Sequence, residues 1–427
     1  MVRLLAVAVA VLVLAPGAKA WTRLTPDSLP NTVEPSVLRT AAGSELVGWR
    51  DDASQAVMLL RLPGGTPQPL VTGWPGVGTP RFVQQPNGTL IAFFAGRSPD
   101  STLGGVVRMS SRDDGVTWST PVQTGSTNQS DVDSAAVRPN GTLLFVQTGS
   151  LYVNVFQGLT AKVVNNIFPP CCGYAASIGV DSTGLAQIAF WSIASSAKGF
   201  LYGVLSPVGS LVGSLLALSG PDTIIEKDRV PLAVDALGDT FVSWVVGSPA
   251  ATVLDVGTFR GGKLVRTVPV SGGGFSGFDP HMALAVDPSN RLWAVWTKAG
   301  ALWAARSRTA GVSFGAAVHS RFPGARNAYQ LSALADDSGL TAFLNLGGAP
   351  QNAVWSKRLL PGLTVVASNG FLRVRDDGFP VAGAVVRSGK RVRQTDANGR
   401  VLLRAFKHHA VVSIRKQGYS PATFRIP

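Results

Sequence analysis

The stretch Gln85-Pro86-Asn87-Gly88-Thr89-Leu90-Ile91-Ala92-Phe93-Phe94 reads as a tight turn followed by a buried strand. Asn and Gly tolerate the positive φ of a short hairpin, and an Asn or Asp side chain can hydrogen-bond the turn backbone. The same unit recurs along the chain. Its turn residues are Gly43, Gly88, Gly141, Gly184, Gly238, Asn290 and Gly339, separated by 45, 53, 43, 54, 52 and 49 residues. Each turn leads into an apolar or aromatic ending, such as Val47-Gly48-Trp49, Ala189-Phe190-Trp191, Val242-Ser243-Trp244 and Ala294-Val295-Trp296. Two further strand-like runs follow each hairpin, for example Ala301-Leu302-Trp303-Ala304-Ala305-Arg306, so each unit holds four strands. A β-rich period of this length is the signature of a propeller, in which short apolar strands are buried on both faces between stacked sheets.

Composition agrees with an all-β chain. Hydrophobic residues make up 45% of the 427 positions and charged residues 15%, which supplies a sizeable core and excludes intrinsic disorder. The only glutamates are Glu34, Glu45 and Glu226, and Glu and Lys are the residues that solvate long helices. With 48 Gly and 28 Pro, turns are abundant.

Between the third and fourth strands of the second unit stands Ser111-Arg112-Asp113-Asp114-Gly115-Val116-Thr117-Trp118. This segment resembles the Asp-box of the sialidase-like (BNR-repeat) propellers, matching Ser111, Asp113, Gly115, Thr117 and Trp118. A degenerate copy, Ser307-Arg308-Thr309-Ala310-Gly311-Val312-Ser313-Phe314, occupies the same place in the sixth unit. The box is a structural motif: its carboxylate and hydroxyl satisfy turn amides while the Trp packs under the hairpin. The repeat count favours seven blades and the family resemblance six, so the expectation is a six- or seven-bladed sialidase-like β-propeller over residues 21–366.

That resemblance implies site residues at the loop end, where one unit's last strand connects to the next unit's first. In sialidases an arginine cluster clamps the substrate carboxylate, a Tyr/Glu pair is the nucleophile and an Asp is the acid/base, a departure from the usual two-carboxylate glycosidase. Arg97 matches one clamp arginine. Gly78 stands where another belongs, with Arg81 able to substitute after a register shift, and Trp244 stands at the third. Tyr329 and Glu226 are the candidate catalytic pair, with Arg229 beside Glu226, and Asp131 or Asp133 is the candidate acid/base. The expected ligand set is therefore Arg97, Arg81, Arg229 and Asp133. Two missing clamp arginines point to a propeller that binds a glycan or another extracellular ligand with drifted or absent catalysis. The alternatives are an exo-acting glycoside hydrolase of the exo-α-sialidase type and a structural envelope protein. The four scattered histidines offer no zinc spacing, and no phosphate-loop or dinucleotide fingerprint is present, so neither a metal nor a cofactor is expected.

Residues 1–20 read as a secretory signal peptide: Arg3, an apolar run from Leu4 to Ala15, and the small-x-small site Ala18-Lys19-Ala20. No other apolar run is long enough for a transmembrane segment, and the expected product is a secreted or cell-envelope monomer. Adjacent Cys171 and Cys172 would form a strained vicinal disulfide in an oxidising compartment, or remain free, or pair between molecules.

After Asn369-Gly370 the composition changes. The pattern Gly378-Phe379-Pro380-Val381-Ala382-Gly383-Ala384-Val385-Val386, Thr395-Asp396-Ala397-Asn398-Gly399 and Lys416-Gln417-Gly418-Tyr419 resembles the carboxypeptidase regulatory-like, transthyretin-like domain, which implies a small accessory β-sandwich over residues 370–427. Of the net charge of +14, residues 361–427 carry 12 Lys+Arg against 3 Asp. A polyanion contact is expected of this module alone, and nucleic acid is disfavoured because stacking aromatics are sparse.

Overall fold

A computed structural model describes residues 20–26, 34–149, 152–158, 162–167, 173–194, 198–220, 229–247, 252–272, 281–324, 326–348 and 351–427. Residues 1–19 of the expected signal peptide, Cys171, Cys172 and Glu226 lie outside the described residues. The chain is all-β, and among the described residues a single short 3-10 turn spans Leu403–Ala405.

Among the described residues, seven antiparallel four-stranded sheets follow one another, the third and fourth joined edge to edge through the pair Gly149 and Gly173. Their first strands are Ser36–Arg39, Arg81–Gln84, Ser134–Val137, Gly173–Val180, Leu232–Val234, Met282–Val286 and Asn327–Asp336. Each of these strands touches the first strand of the next sheet, and the seventh touches the first, so the sheets close into a propeller-like ring. The seam is closed by the chain's beginning. Thr22–Arg23 pairs with Gln351–Leu359 as the outer strand of the seventh sheet. Radial closure leaves each sheet only short inner and outer edges, the inner ones shielded by the neighbouring sheets.

The hairpin residues singled out in the sequence behave as their chemistry requires. Gly88 and Asn290 hold φ of 86° and 57°, in the left-handed region. The preceding aspartates cap their own turns: Asp181 Oδ1 accepts from the Thr183 and Leu185 amides at 2.9 and 3.0 Å, and Asp287 does the same for Ser289 and Arg291. Turns also hook onto the neighbouring sheet. The Ala41 amide donates to Gln84 Oε1 at 2.7 Å, and the Ala236 amide to Asn290 Oδ1 at 3.1 Å. Between sheets, the strand-ending aromatics Trp191, Trp244 and Trp296 share one buried cluster, so the repeated Trp is the inter-sheet filling. Fully burying such a side chain contributes on the order of 2–3 kcal/mol.

Residues beyond the ring form two more four-stranded sheets over one apolar cluster of Leu372, Val374, Val386, Val401, Val412 and Ile414. Thr364–Ser368 pairs with Phe371–Asp376 in the first of them. The hairpin Asp376-Asp377-Gly378-Phe379 inserts against the sixth ring sheet. Asp376 accepts from Arg291 at 2.7 and 2.9 Å and also from Arg306, while Tyr419 donates to it at 3.2 Å. Burial raises the Asp376 pKa, but hydrogen bonds and charge from Arg291 and Arg306 outweigh it and hold the group below the usual carboxylate range. Arg291 and Arg308 lie over the Phe379 ring.

Candidate functional site

The first strands all enter the ring at the same end, and the residues just before or at their starts converge there. Glu34 precedes the first inner strand, Arg81 opens the second, Asp131 and Asp133 precede the third, and Arg229 precedes the fifth. Glu34 is the hub. Its Oε1 accepts from Arg229 Nη2 at 2.6 Å and Nε at 2.8 Å, its Oε2 from Arg81 Nη2 at 2.9 Å, and Ser332 of the seventh inner strand donates to Oε1 at 3.3 Å. Burial raises the Glu34 pKa. The charges and hydrogen bonds of Arg229 and Arg81 reverse that and leave the carboxylate ionised.

Arg81 is spent further: its Nε donates to the Val132 carbonyl at 2.9 Å, and its Nη1 is buried with no partner among the described residues. Asp133 stands close enough to feel that charge. Burial nevertheless pushes its carboxyl up to about 7, against the opposing Thr148 amide bond of 2.6 Å and the charge of Arg81. Asp131 leans the other way, toward Arg50 at 3.5 Å. Gly78 makes this possible, because a Cβ at that position would lie 2.2 Å from Asp131 Oδ1. Position 78 therefore cannot carry a clamp arginine while Asp131 keeps its place.

A cavity of about 130 Å³ opens beside the cluster, lined by Glu34, Ser177, Arg229, Met282, Leu331 and Ser332. Sites that enclose a whole small ligand run to roughly 300–1,000 Å³, so this one suits an end group. A larger cleft of about 930 Å³ lies at the opposite end of the ring, but the charges in its wall are already paired, as in Arg39 with Glu45 at 2.6 Å.

Of the residues singled out in the sequence, Arg81, Arg229 and Asp133 meet in this cluster. Arg97 ends the second strand of its sheet and is exposed. Tyr329 is half-buried on the same inner strand as Ser332, at a β-bulge where the register shifts between Ala328 and Gln330. Trp244 is buried in the inter-sheet cluster. Glu34 was not singled out as a site residue. Its signal was positional: it stands just ahead of an inner strand, as Asp133 and Arg229 do.

The Ser111 to Trp118 segment forms a closed turn at the outer edge of the second sheet. Ser111 Oγ donates to Asp113 Oδ1 at 2.8 Å and accepts from the Gly115 amide at 2.9 Å, and the Thr117 amide donates to Asp113 at 2.9 Å. Thr117 chiefly, with Ser111, lowers the Asp113 pKa to about 2. Trp118 Nε1 donates to the Gly115 carbonyl at 3.2 Å, and its ring meets Phe82. In the sixth sheet the copy carries Thr309 in place of the Asp. There Ser313 Oγ donates instead to Asp377, at 3.0 Å to each carboxylate oxygen. The C-terminal unit thus lends a carboxylate to the degenerate copy.

No protein-family model and no curated protein sequence matches the chain. Solved structures do. A chain in a crystal structure of the mitotic checkpoint complex aligns with a TM-score of 0.51 at 9% identity, over 79% of this chain and 94% of that one. Polysaccharide lyase Uly1 aligns at 0.47 and 11% identity, over 78% and 90% of the two chains. The α-L-arabinanase of Penicillium chrysogenum aligns at 0.44 and 14%, over 80% and 98%. At these identities the likeness speaks to the fold alone.

Proposed function

We propose that the chain is a secreted, seven-bladed sialidase-like propeller with a C-terminal transthyretin-like sandwich starting near Thr364, and that its loop end binds a glycan without hydrolysing it. One observation carries the reading: Arg81 and Arg229 both bond Glu34. A sialidase-type clamp needs arginines whose charge is open to a substrate carboxylate, and Glu34, bonded through two nitrogens of Arg229 and one of Arg81, already stands in that place. What remains around the small cavity is the paired Glu34–Arg229 group and the hydroxyls of Ser177 and Ser332, with the half-buried Tyr329 on the neighbouring stretch of strand. Such groups suit the hydroxyls of a neutral sugar end. The Asp-box role of Ser111, Asp113, Gly115 and Trp118 is structural in this reading.

A second reading rests on Asp133. A buried carboxyl with a pKa near 7 has the protonation a general acid needs at neutral pH, which favours an exo-acting glycoside hydrolase with Tyr329 and Glu226 as the catalytic pair. Incubating the secreted protein with a fluorogenic sialoside and a panel of aryl glycosides separates the two. The binding reading expects glycan-array signal and no turnover. Turnover abolished by Tyr329→Phe or Asp133→Asn establishes the hydrolase instead, and neither signal leaves a structural envelope role.

A further inference from the structure

We infer that the outward face of the C-terminal sheet built from Arg391–Gln394, Val385–Ser388, Val411–Arg415 and Ala422–Arg425 is a docking surface for a linear anionic polysaccharide. The charge balance of residues 361–427, 12 Lys+Arg against 3 Asp, understates the surface that this unit presents. Asp376 and Asp377 are both buried in the seam with the sixth ring sheet, one on Arg291 and Arg306 and the other on Ser313. The third acid, Asp396, caps its own turn by accepting from the Asn398 and Arg400 amides at 2.9 and 2.8 Å. Docking onto the ring therefore removes two carboxylates and leaves the cations uncovered.

The register selects which cations share a face. Val386, Val412 and Ile414 point into the core. Their neighbours in sequence point the other way, and Arg387 pairs with Ser413, Val385 with Arg415, and Val411 with Arg425. Arg387, Arg415 and Arg425 thus stand together on the outer face, and all three are exposed. From strand spacings of about 4.8 Å and a rise of about 3.4 Å per residue, they lie about 8, 12 and 14 Å apart. None of the three forms an ion pair among the described residues. Lys390 lies in the hairpin turn just after Arg387 and Ser388, whereas Arg391 and Arg393 pair with Ser388 and Val386 and belong to the opposite face of this sheet.

Charge on an edge strand is ordinary protection against edge pairing. That explanation covers Arg391, Arg393 and Arg425, but not Arg387 and Arg415, which sit on the two central strands of the sheet. Between the cations lie Val385, Val392, Val411, Ser413 and Thr423, with no aromatic ring for base stacking. Arginine forks match carboxylate and sulfate oxygens bidentately, and the paired hydroxyls of Ser413 and Thr423 suit a sugar backbone.

The test uses the full secreted chain with heparin and polygalacturonate as probes, and with double-stranded DNA and phosphatidylserine vesicles as competitors. The expected result is at least a tenfold loss of affinity for one polysaccharide probe in Arg387→Ser/Arg415→Ser/Arg425→Ser. The slope of log affinity against log salt should fall by about 2–3. A control with the same charge change on the ring, Lys263→Ser/Arg266→Ser/Arg321→Ser, should stay within twofold. Equal losses in both variants reduce the effect to bulk charge and overturn the inference, as does binding to DNA or vesicles as tight as to the polysaccharides. Lysine at the same three positions keeps the charge, so a clear loss there assigns the contact to the guanidinium forks, whereas full retention beside a loss in the serine variant keeps the docking surface and assigns the contact to positive charge alone.

Discussion

Glu34 and Asp376 perform the same chemistry in two regions of the molecule. Each is a buried carboxylate holding two arginines, Glu34 at the mouth of the ring and Asp376 at the seam with the C-terminal unit. The surroundings differ. Asp376 is enclosed by Tyr419 and by the Phe379 ring over Arg291, and it joins two separately cored parts of the chain. Glu34 faces a small cavity, one of its arginines is partly open to solvent, and the protonatable Asp133 stands behind the other. A saturated carboxylate with no space beside it is a fastening. The same group beside a cavity can also present its partners to a ligand.

Asp376→Ala should have the largest effect, because it removes the carboxylate that both buried arginines, Arg291 and Arg306, hydrogen-bond. A loss of about 3–5 kcal/mol is expected by chemical denaturation, with new proteolytic cleavage near residue 364. The depressed pKa sets the pH dependence. The stabilisation is present above the unfolded carboxylate pKa near 3.8 and is lost as pH falls through the lower folded value, so undocking should appear only in acid. Unchanged stability in Asp376→Ala at neutral pH would break the comparison from the fastening side.

Glu34→Gln is expected to cost less, about 2–3 kcal/mol, because the Arg229 side chain is 29% exposed and water can take part of its charge. If the mouth cluster presents its arginines, this variant should also change glycan-array binding, which Asp376→Ala should not. Equal binding by wild type and Glu34→Gln would reduce Glu34 to a second fastening.

Asp133→Asn sharpens the electrostatics. A carboxyl raised to about 7 by burial contributes stability that is complete below its unfolded pKa and is lost as pH rises through 7. The variant should therefore match wild type below about pH 4, gain on it progressively between about pH 4 and 7, and keep a constant lead above that. Parallel stability curves across that range would show that Asp133 titrates normally. The smallest effect is expected of Ser313→Ala, about 0.5–1.5 kcal/mol, since it removes only the hydroxyl that Asp377 accepts from.

Much of this architecture is legible in the sequence. The turn residues from Gly43 to Asn290, the Asp caps and the strand-ending tryptophans are local signals, and each does in the fold what its own chemistry allows. The candidate site was half legible. Arg81, Arg229 and Asp133 stood in the right loops, but Glu34 lies 195 residues from Arg229 and 47 from Arg81.

The sequence by itself determined the repeat, its turns, the apolar strand endings and the basic end of the chain, because these depend on neighbours within a few positions. Only the tertiary structure decided how the described sheets follow one another round the ring, with Thr22–Arg23 completing the last of them. It also decided that Glu34 occupies the arginines and that Asp376 and Asp377 leave the surface to enter the seam. A buried charge takes whichever opposite charge the closed ring brings within hydrogen-bond reach, and no local pattern encodes that pairing.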